Sequence, residues 1–199
     1  MVKKVLLALA VLIVGFVAYA ATRPDKYHVE RSTTIHAPAD LVYAHLADLK
    51  SFGEWSPWDK RDPTMKKTFT AATTGVGASY SWQGNKEVGS GKMTITEAKP
   101  PTLVREKLEF IEPFASIADV GFDVVPAGAD EVKATWSMDG DSSKLLVKAM
   151  GVFMNMDKMI GKDFEDGLAN LKRIVEAKAA APAAAAVAAE PAAAAPATK

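Results

Sequence analysis

The chain has 199 residues, 24 basic and 24 acidic side chains, a formal net charge of zero and no cysteine. A chain without a net field is not drawn to nucleic acid, nor does it select acidic or basic partners. The lack of cysteine excludes disulfides, thiolate metal sites and a cysteine nucleophile, and it leaves the compartment open.

Val5 to Ala21 is an unbroken apolar run behind Lys3 and Lys4. At about 17 residues it reaches the lower limit for crossing a bilayer. Ala18-Tyr19-Ala20 fits the small-x-small pattern of a signal-peptidase site. Residues 1–22 are thus read as an N-terminal membrane anchor or a signal peptide, with the length favouring the anchor. Lys3 and Lys4 favour a cytoplasmic N-terminus. The expected location is the cytoplasmic membrane, through a single-pass anchor with the domain in the periplasm or outside; the alternative is secretion after cleavage.

Residues 27–178 are read as one folded domain. Tyr27 to His36 alternates like a strand with two different faces, Val29, Arg31, Thr33 and Ile35 lying on one of them. Pro38 opens a helix, in which Leu41, Val42, His45, Leu46 and Leu49 recur at helical spacing. Phe52, Gly53 and Pro57 divide this stretch into two short helices. The segments that follow are strand-like and separated by glycine and proline turns, namely Gly75-Val76-Gly77, Gly84-Asn85-Lys86, Gly89-Ser90-Gly91 and Pro100-Pro101. Alternation places Tyr80 with Trp82, Met93 with Ile95, and Val104 with Leu108 and Phe110 on one apolar wall. Val120, Phe122 and Val124 join it, as do Val132, Ala134, Trp136 and Met138.

A single amphipathic helix is expected from about Lys144 to Lys178, with Phe153, Met156, Ile160, Phe164, Leu168, Leu171 and Val175 along the buried stripe. Gly151, Gly161 and Gly167 each cost about 1 kcal/mol of helix propensity, which asks for close approach or spare volume. Met150, Met154, Met156 and Met159 add adaptable apolar surface. A lone antiparallel sheet followed by one C-terminal helix buries its apolar face by curling around that helix, which encloses a cavity. From Ala179 the chain is nearly all alanine, interrupted by Pro182, Pro191 and Pro196, so residues 179–199 are read as a disordered Ala/Pro-rich tail.

The strand ending Ser32-Thr33-Thr34-Ile35-His36-Ala37-Pro38-Ala39, the helix residues Val42-Tyr43 and Leu46-Ala47-Asp48, and the segment Glu54-Trp55-Ser56-Pro57-Trp58 together resemble the START-like superfamily. The likeness is to its polyketide cyclase/dehydrase and lipid-transport branch, often labelled SRPBCC. It continues through Tyr80 to Gly84, Gly89 to Met93, Pro100 and Gly161 to Leu168, and spans about Tyr27 to Glu176. The resemblance implies an α+β helix-grip fold, a curved antiparallel sheet wrapped around a long C-terminal helix, with an apolar ligand cavity. The residues expected to line it are Trp55, Trp58, Tyr80, Trp82, Met93, Glu106, Leu108, Phe110, Phe122, Trp136, Met156, Ile160 and Phe164. Trp55 and Trp58 either cap the cavity mouth or staple the second short helix to the sheet.

No catalytic residue, metal or cofactor is assigned. His28, His36 and His45 lack metal-ligand spacing, and Asp139-Gly140-Asp141 reads as a turn before the last helix. No serine stands in a nucleophile elbow. Glu106 follows the inward alternation, where burial would raise its pKa; a register slip would instead expose it or pair it with Arg105 or Lys107 of a neighbour. Three functions fit this pattern. The leading one is non-catalytic binding or transport of a hydrophobic small molecule or lipid at the outer face of the cytoplasmic membrane. The others are a polyketide cyclase/dehydrase-like enzyme and a cochaperone-like interaction module, the last marked by an exposed apolar patch.

Overall fold

The structure, a computed structural model, describes residues 1–143, 145–153 and 155–188. Helix α1 (Val2–Ala21) precedes the domain and leaves nearly all its apolar side chains exposed, Ala20 alone being buried. Strand β1 (Lys26–Ile35) follows, then three short helices: α2 (Ala39–Leu46), α3 (Leu49–Trp55) and α4 (Pro57–Arg61). Strands β2 (Lys66–Phe69), β3 (Ser79–Gln83), β4 (Ser90–Lys99), β5 (Leu103–Glu112), β6 (Ser116–Gly128) and β7 (Glu131–Asp141) complete a sheet. Helices α5 (Leu145–Phe153) and α6 (Met156–Ala188) close the chain.

The sheet order is β1-β7-β6-β5-β4-β3-β2, antiparallel throughout. Consecutive strands are hairpin neighbours from β2 to β7, and β1 returns to the far edge beside β7. The sheet curves around α6, whose Phe164, Leu168, Leu171 and Val175 are buried against it. The residues assigned to the inner wall by alternation are buried, apart from Phe110, which is half-buried near the open end. The START-like helix-grip fold is therefore the fold of this domain.

Four expectations are corrected. Three short helices, not two, follow β1, because Asp48 stops α2 and caps α3 by accepting a hydrogen bond from the Lys50 backbone N–H at 3.1 Å. Ser56 caps α4 in the same way, accepting from Trp58 N–H at 3.3 Å. The single C-terminal helix is two: Asn155 interrupts it and caps the new start, its side chain accepting from Lys158 N–H at 3.0 Å. Phe153, placed on the buried stripe, is accordingly exposed at the end of α5, while Met154 and Lys144 lie outside the described residues.

Helix α6 runs past Lys178 to Ala188, since alanine is the strongest helix former; the remainder of the expected tail, 189–199, lies outside the described residues. Asp139-Gly140-Asp141 is not a turn but the end of β7, and the turn follows it, with Asp141 Oδ1 accepting from Ser143 N–H at 2.6 Å. The edge strand β2, with only Lys66, Lys67, Thr68 and Phe69, was not expected.

Candidate functional site

The interior divides into two parts along the barrel-like curve. At one part the rings close on each other. Trp136 on β7 stacks face to face on Phe164 of α6 at 4.0 Å and 10°, and meets Trp55 of α3 edge-on at 5.3 Å. Phe122 on β6 packs beside Trp136 at 5.4 Å. Gly167 makes this possible: a Cβ there would come within 2.7 Å of the Trp136 ring. Trp55, Phe122, Trp136 and Phe164 are at most 1% exposed. These four expected cavity residues are solid core, a correction with a packing cause: the helix approaches the sheet so closely here that no void remains.

Toward the other end the sheet diverges from α6 and leaves a cavity of about 250 Å³. Eight expected residues line it, Trp58, Tyr80, Trp82, Met93, Leu108, Phe110, Met156 and Ile160. Trp55 and Trp58 therefore separate, the first stapling α3 into the core and the second forming cavity wall. Tyr27, Phe52, Met65, Val88 and Met138 also line it. Met138 carried a legible signal, since it shares the inner face of its strand with Trp136. Met65 lies between elements, where no periodicity marks it.

The glycines on α6 do not provide the volume. The Arg31 guanidinium occupies the space over Gly161, donating from Nε to Glu165 at 2.8 Å and from Nη1 to Asp157 at 2.9 Å. This ion pair draws the Asp157 carboxyl below its usual pKa, and it joins β1 to the start of α6. Gly151 on α5 does face open space.

Two of the three carboxylates at the cavity rim are paired, and the third, Glu87, is exposed to solvent. Asp59 binds Lys67, and Asp163 at the cavity edge binds Arg61. Lys67 also sits 5.6 Å above the Tyr80 ring.

Glu106 is different. It is 3% exposed, one residue pair deeper than Leu108 on β5, and opposite Ile95 and Val120 in register. Its side chain makes no hydrogen bond or ion pair among the described residues, because Arg105 binds Asp123 at 2.8 Å and Lys107 binds Glu109 at 3.0 Å on the outer face. The alternation thus prevails over a register slip. Burial pushes the Glu106 carboxyl up to about 8, so it is mostly protonated at neutral pH and available as a donor. The same burial, then Glu106 and Asp59, raise the Tyr80 phenol well above its usual range. Glu106 is not among the residues that line the cavity.

The histidines stand apart. His28 contacts Asp139 at 2.9 Å, His36 contacts Glu131 at 3.0 Å, and buried His45 contacts the Leu41 carbonyl at 2.8 Å. No group of three or more histidine, aspartate or glutamate side chains among the described residues has the geometry to hold a metal ion.

A second, open groove of about 1010 Å³ adjoins the cavity and shares Tyr27, Phe110, Ser116 and Met156 with it. Its far walls are α5 and the β5–β6 hairpin.

Residues 26–176 match the sequence profile of the family described as polyketide cyclase/dehydrase and lipid transport. No curated protein matches the chain in sequence. Among solved structures, the Zhui aromatase/cyclase from Streptomyces sp. R1128 superposes with a TM-score of 0.55 at 17% identity, over 76% of this chain and 94% of that one. A START superfamily protein from Mycobacterium smegmatis gives 0.52 at 17%, over 75% and 97%. Norcoclaurine synthase from Thalictrum flavum, in complex with dopamine and hydroxybenzaldehyde, gives 0.53 at 14%, over 75% and 86%. At such identities the likeness establishes the fold and nothing of the chemistry.

Proposed function

Because the chain belongs to the polyketide cyclase/dehydrase and lipid transport family, we propose that its domain is a non-catalytic carrier. It holds a hydrophobic small molecule or lipid in the cavity between the sheet, α4 and the start of α6, at the outer face of the cytoplasmic membrane. The observation that carries this reading is the cavity wall itself: Trp58, Tyr80, Trp82, Met93, Leu108, Phe110, Met138, Met156 and Ile160 are apolar or aromatic, the rim carboxylates Asp59 and Asp163 are neutralised, and Glu87 at the rim is exposed to solvent. A wall of this kind stabilises an apolar ligand by area and offers no activated nucleophile or paired acid and base. Methionines at 93, 138 and 156 let the wall adapt to variable shapes. Helix α1 supports the membrane location, being long and apolar enough to cross a bilayer.

One observation favours the cyclase/dehydrase-like enzyme as a second reading. Glu106 is a buried, unpaired carboxylic acid near the Tyr80 phenol, a donor pair suited to proton transfer if a ligand reaches it. Because Glu106 is not among the lining residues, the carrier is the better account. Native mass spectrometry of the full chain extracted from membranes tests the choice. Retention of one class of apolar molecule, unchanged in mass over time, is expected; a retained molecule that is converted, with conversion lost in Glu106→Gln, would establish the enzyme instead.

A further inference from the structure

The domain carries exposed apolar side chains that its own packing does not explain. They cluster around the open groove: Phe114 (60% exposed) and Ile117 (54%) on the β5–β6 hairpin, and Phe153 (79%) and Met159 (50%) on α5 and α6. A cluster of large side chains at one site marks an interaction surface.

Helix α1 identifies what covers that surface. Phe16 of α1 stacks on Phe153 of α5, with ring centroids 5.6 Å apart at 26°. Lys148 of α5 meets the end of α1, donating to the Ala21 carbonyl at 3.3 Å and pairing with Asp25 at 2.5 Å. Phe16 lies five residues before Ala21, and Phe153 five residues after Lys148. The two helices therefore run antiparallel and in step, and each drops about 7.5 Å from the Ala21–Lys148 level to the Phe16–Phe153 level. If Ala21 marks the point where α1 leaves the bilayer, Phe153 lies below that plane. Interfacial helices sit at a depth of about 5–10 Å. Arg23, Lys26 and Lys148 occupy the level above, where phosphate headgroups lie.

We propose that α5 and the tip of the β5–β6 hairpin form a collar embedded in the outer leaflet, and that the groove between them admits an acyl lipid from the bilayer directly into the cavity. The proposal rests on the reading of the cavity as an apolar ligand site, and it names the source of the ligand. Continuity supports it: Tyr27, Phe110, Ser116 and Met156 line both groove and cavity. Volume supports it as well, because the cavity of about 250 Å³ falls just below the roughly 300–1,000 Å³ usual for ligand sites. A lipid seated in the cavity would leave part of its length in the groove.

The chain has no cysteine, so single cysteines report cleanly. The full-length protein bearing Phe114→Cys, Phe153→Cys or the exposed control Val125→Cys is labelled with an environment-sensitive nitrobenzoxadiazole and reconstituted in phosphatidylcholine vesicles with brominated acyl chains. Val125 lies nine residues along β6 from Ser116, about 30 Å away. Quenching at 114 and 153 but not at 125 is expected. Water-exposed labels at 114 and 153 would overturn the collar, as would labels shielded from water yet unquenched by bromine, which would signify a protein contact.

The second arm compares the Phe114→Asp/Phe153→Asp double variant with the parent, both side chains being exposed so that folding does not depend on them. Uptake of pyrene-labelled phosphatidylcholine from vesicles should slow about tenfold or more, since one lost aromatic anchor exceeds the roughly 1.4 kcal/mol that a factor of ten represents. Binding of the small neutral probe N-phenyl-1-naphthylamine, which fits within the cavity, should fall far less than uptake from vesicles. Unchanged pyrene uptake overturns the bilayer route. Absence of both pyrene uptake and naphthalene-dye binding in the parent sinks the cavity reading and with it the lipid route, while the bromolipid result still decides the collar.

Discussion

The closed aromatic core and the open cavity are built from the same inward-facing positions of the same strands, yet only one of them is empty. On β7, Trp136 is clamped by Phe164 and Trp55, whereas Met138, two residues along, faces the cavity. The difference lies in α6. Gly167 admits the Trp136 ring against the helix, while at the other end Met156 and Ile160 stand off the sheet and Arg31 fills the space at Gly161. The cavity is the place where a helix that grips the sheet lets go of it.

Glu106, buried on the inner face of β5, carries the largest expected effect. Its carboxyl ionises near 4.5 in the unfolded chain and near 8 in the folded one, so between these values the folded protein binds more protons. The Glu106 contribution to stability is therefore complete below about pH 4.5 and falls as pH rises, by a total on the order of 5 kcal/mol by about pH 8. Urea unfolding of the parent should show this decline, and Glu106→Gln should flatten it. A decline that persists in the variant would move the buried charge elsewhere.

Trp136→Ala should cost about 3–5 kcal/mol, as for other large aromatic truncations in packed cores. Trp58→Ala, which removes cavity wall, should cost about 1–2 kcal/mol and weaken apolar-dye binding instead. Equal losses in denaturant titrations would erase the division between core and cavity. Ile160→Trp sharpens the same division: it should cost less than the roughly 1–3 kcal/mol of an overfilled core while removing most dye binding. A strongly destabilised variant would mean that the space is not available.

The smallest effects come from the glycines. Gly167→Ala should destabilise by about 1–2 kcal/mol, because crowding against Trp136 outweighs the gain in helix propensity. Gly151→Ala meets nothing within 4 Å and should stabilise by up to about 1 kcal/mol. Thermal melts of the pair should move in opposite directions.

Much of this architecture is legible in local pattern. Period-2 alternation identified the inner face from Tyr80 to Met138 and carried Glu106 inward, and Pro38 marked the first helix of the domain. The missed helix breaks share one cause, a single polar side chain acting on the backbone. Asp48 and Asn155 stop and restart helices that hydrophobic spacing alone would continue, and Asn155 thereby turns Phe153 outward. Strand β2 escaped because four residues, two of them lysine, carry too little periodicity. The division of the wall into core and cavity was not legible at all, since it depends on how near α6 comes to each strand pair, a distance set by contacts more than 20 residues apart in sequence, such as Gly167 with Trp136.

Trp58 links the cavity optically to the core. It forms cavity wall on one side and on the other meets Trp136 edge-on, at 5.7 Å and 86°, while Trp136 in turn holds Trp55 at 79°. Three of the four tryptophans thus form a chain of crossed indoles with strongly coupled electronic transitions, and only its outer member lines the cavity. Any molecule that tilts Trp58 changes the near-ultraviolet circular dichroism of the whole set, so filling of the site can be read in unlabelled protein from a signal that originates in the core.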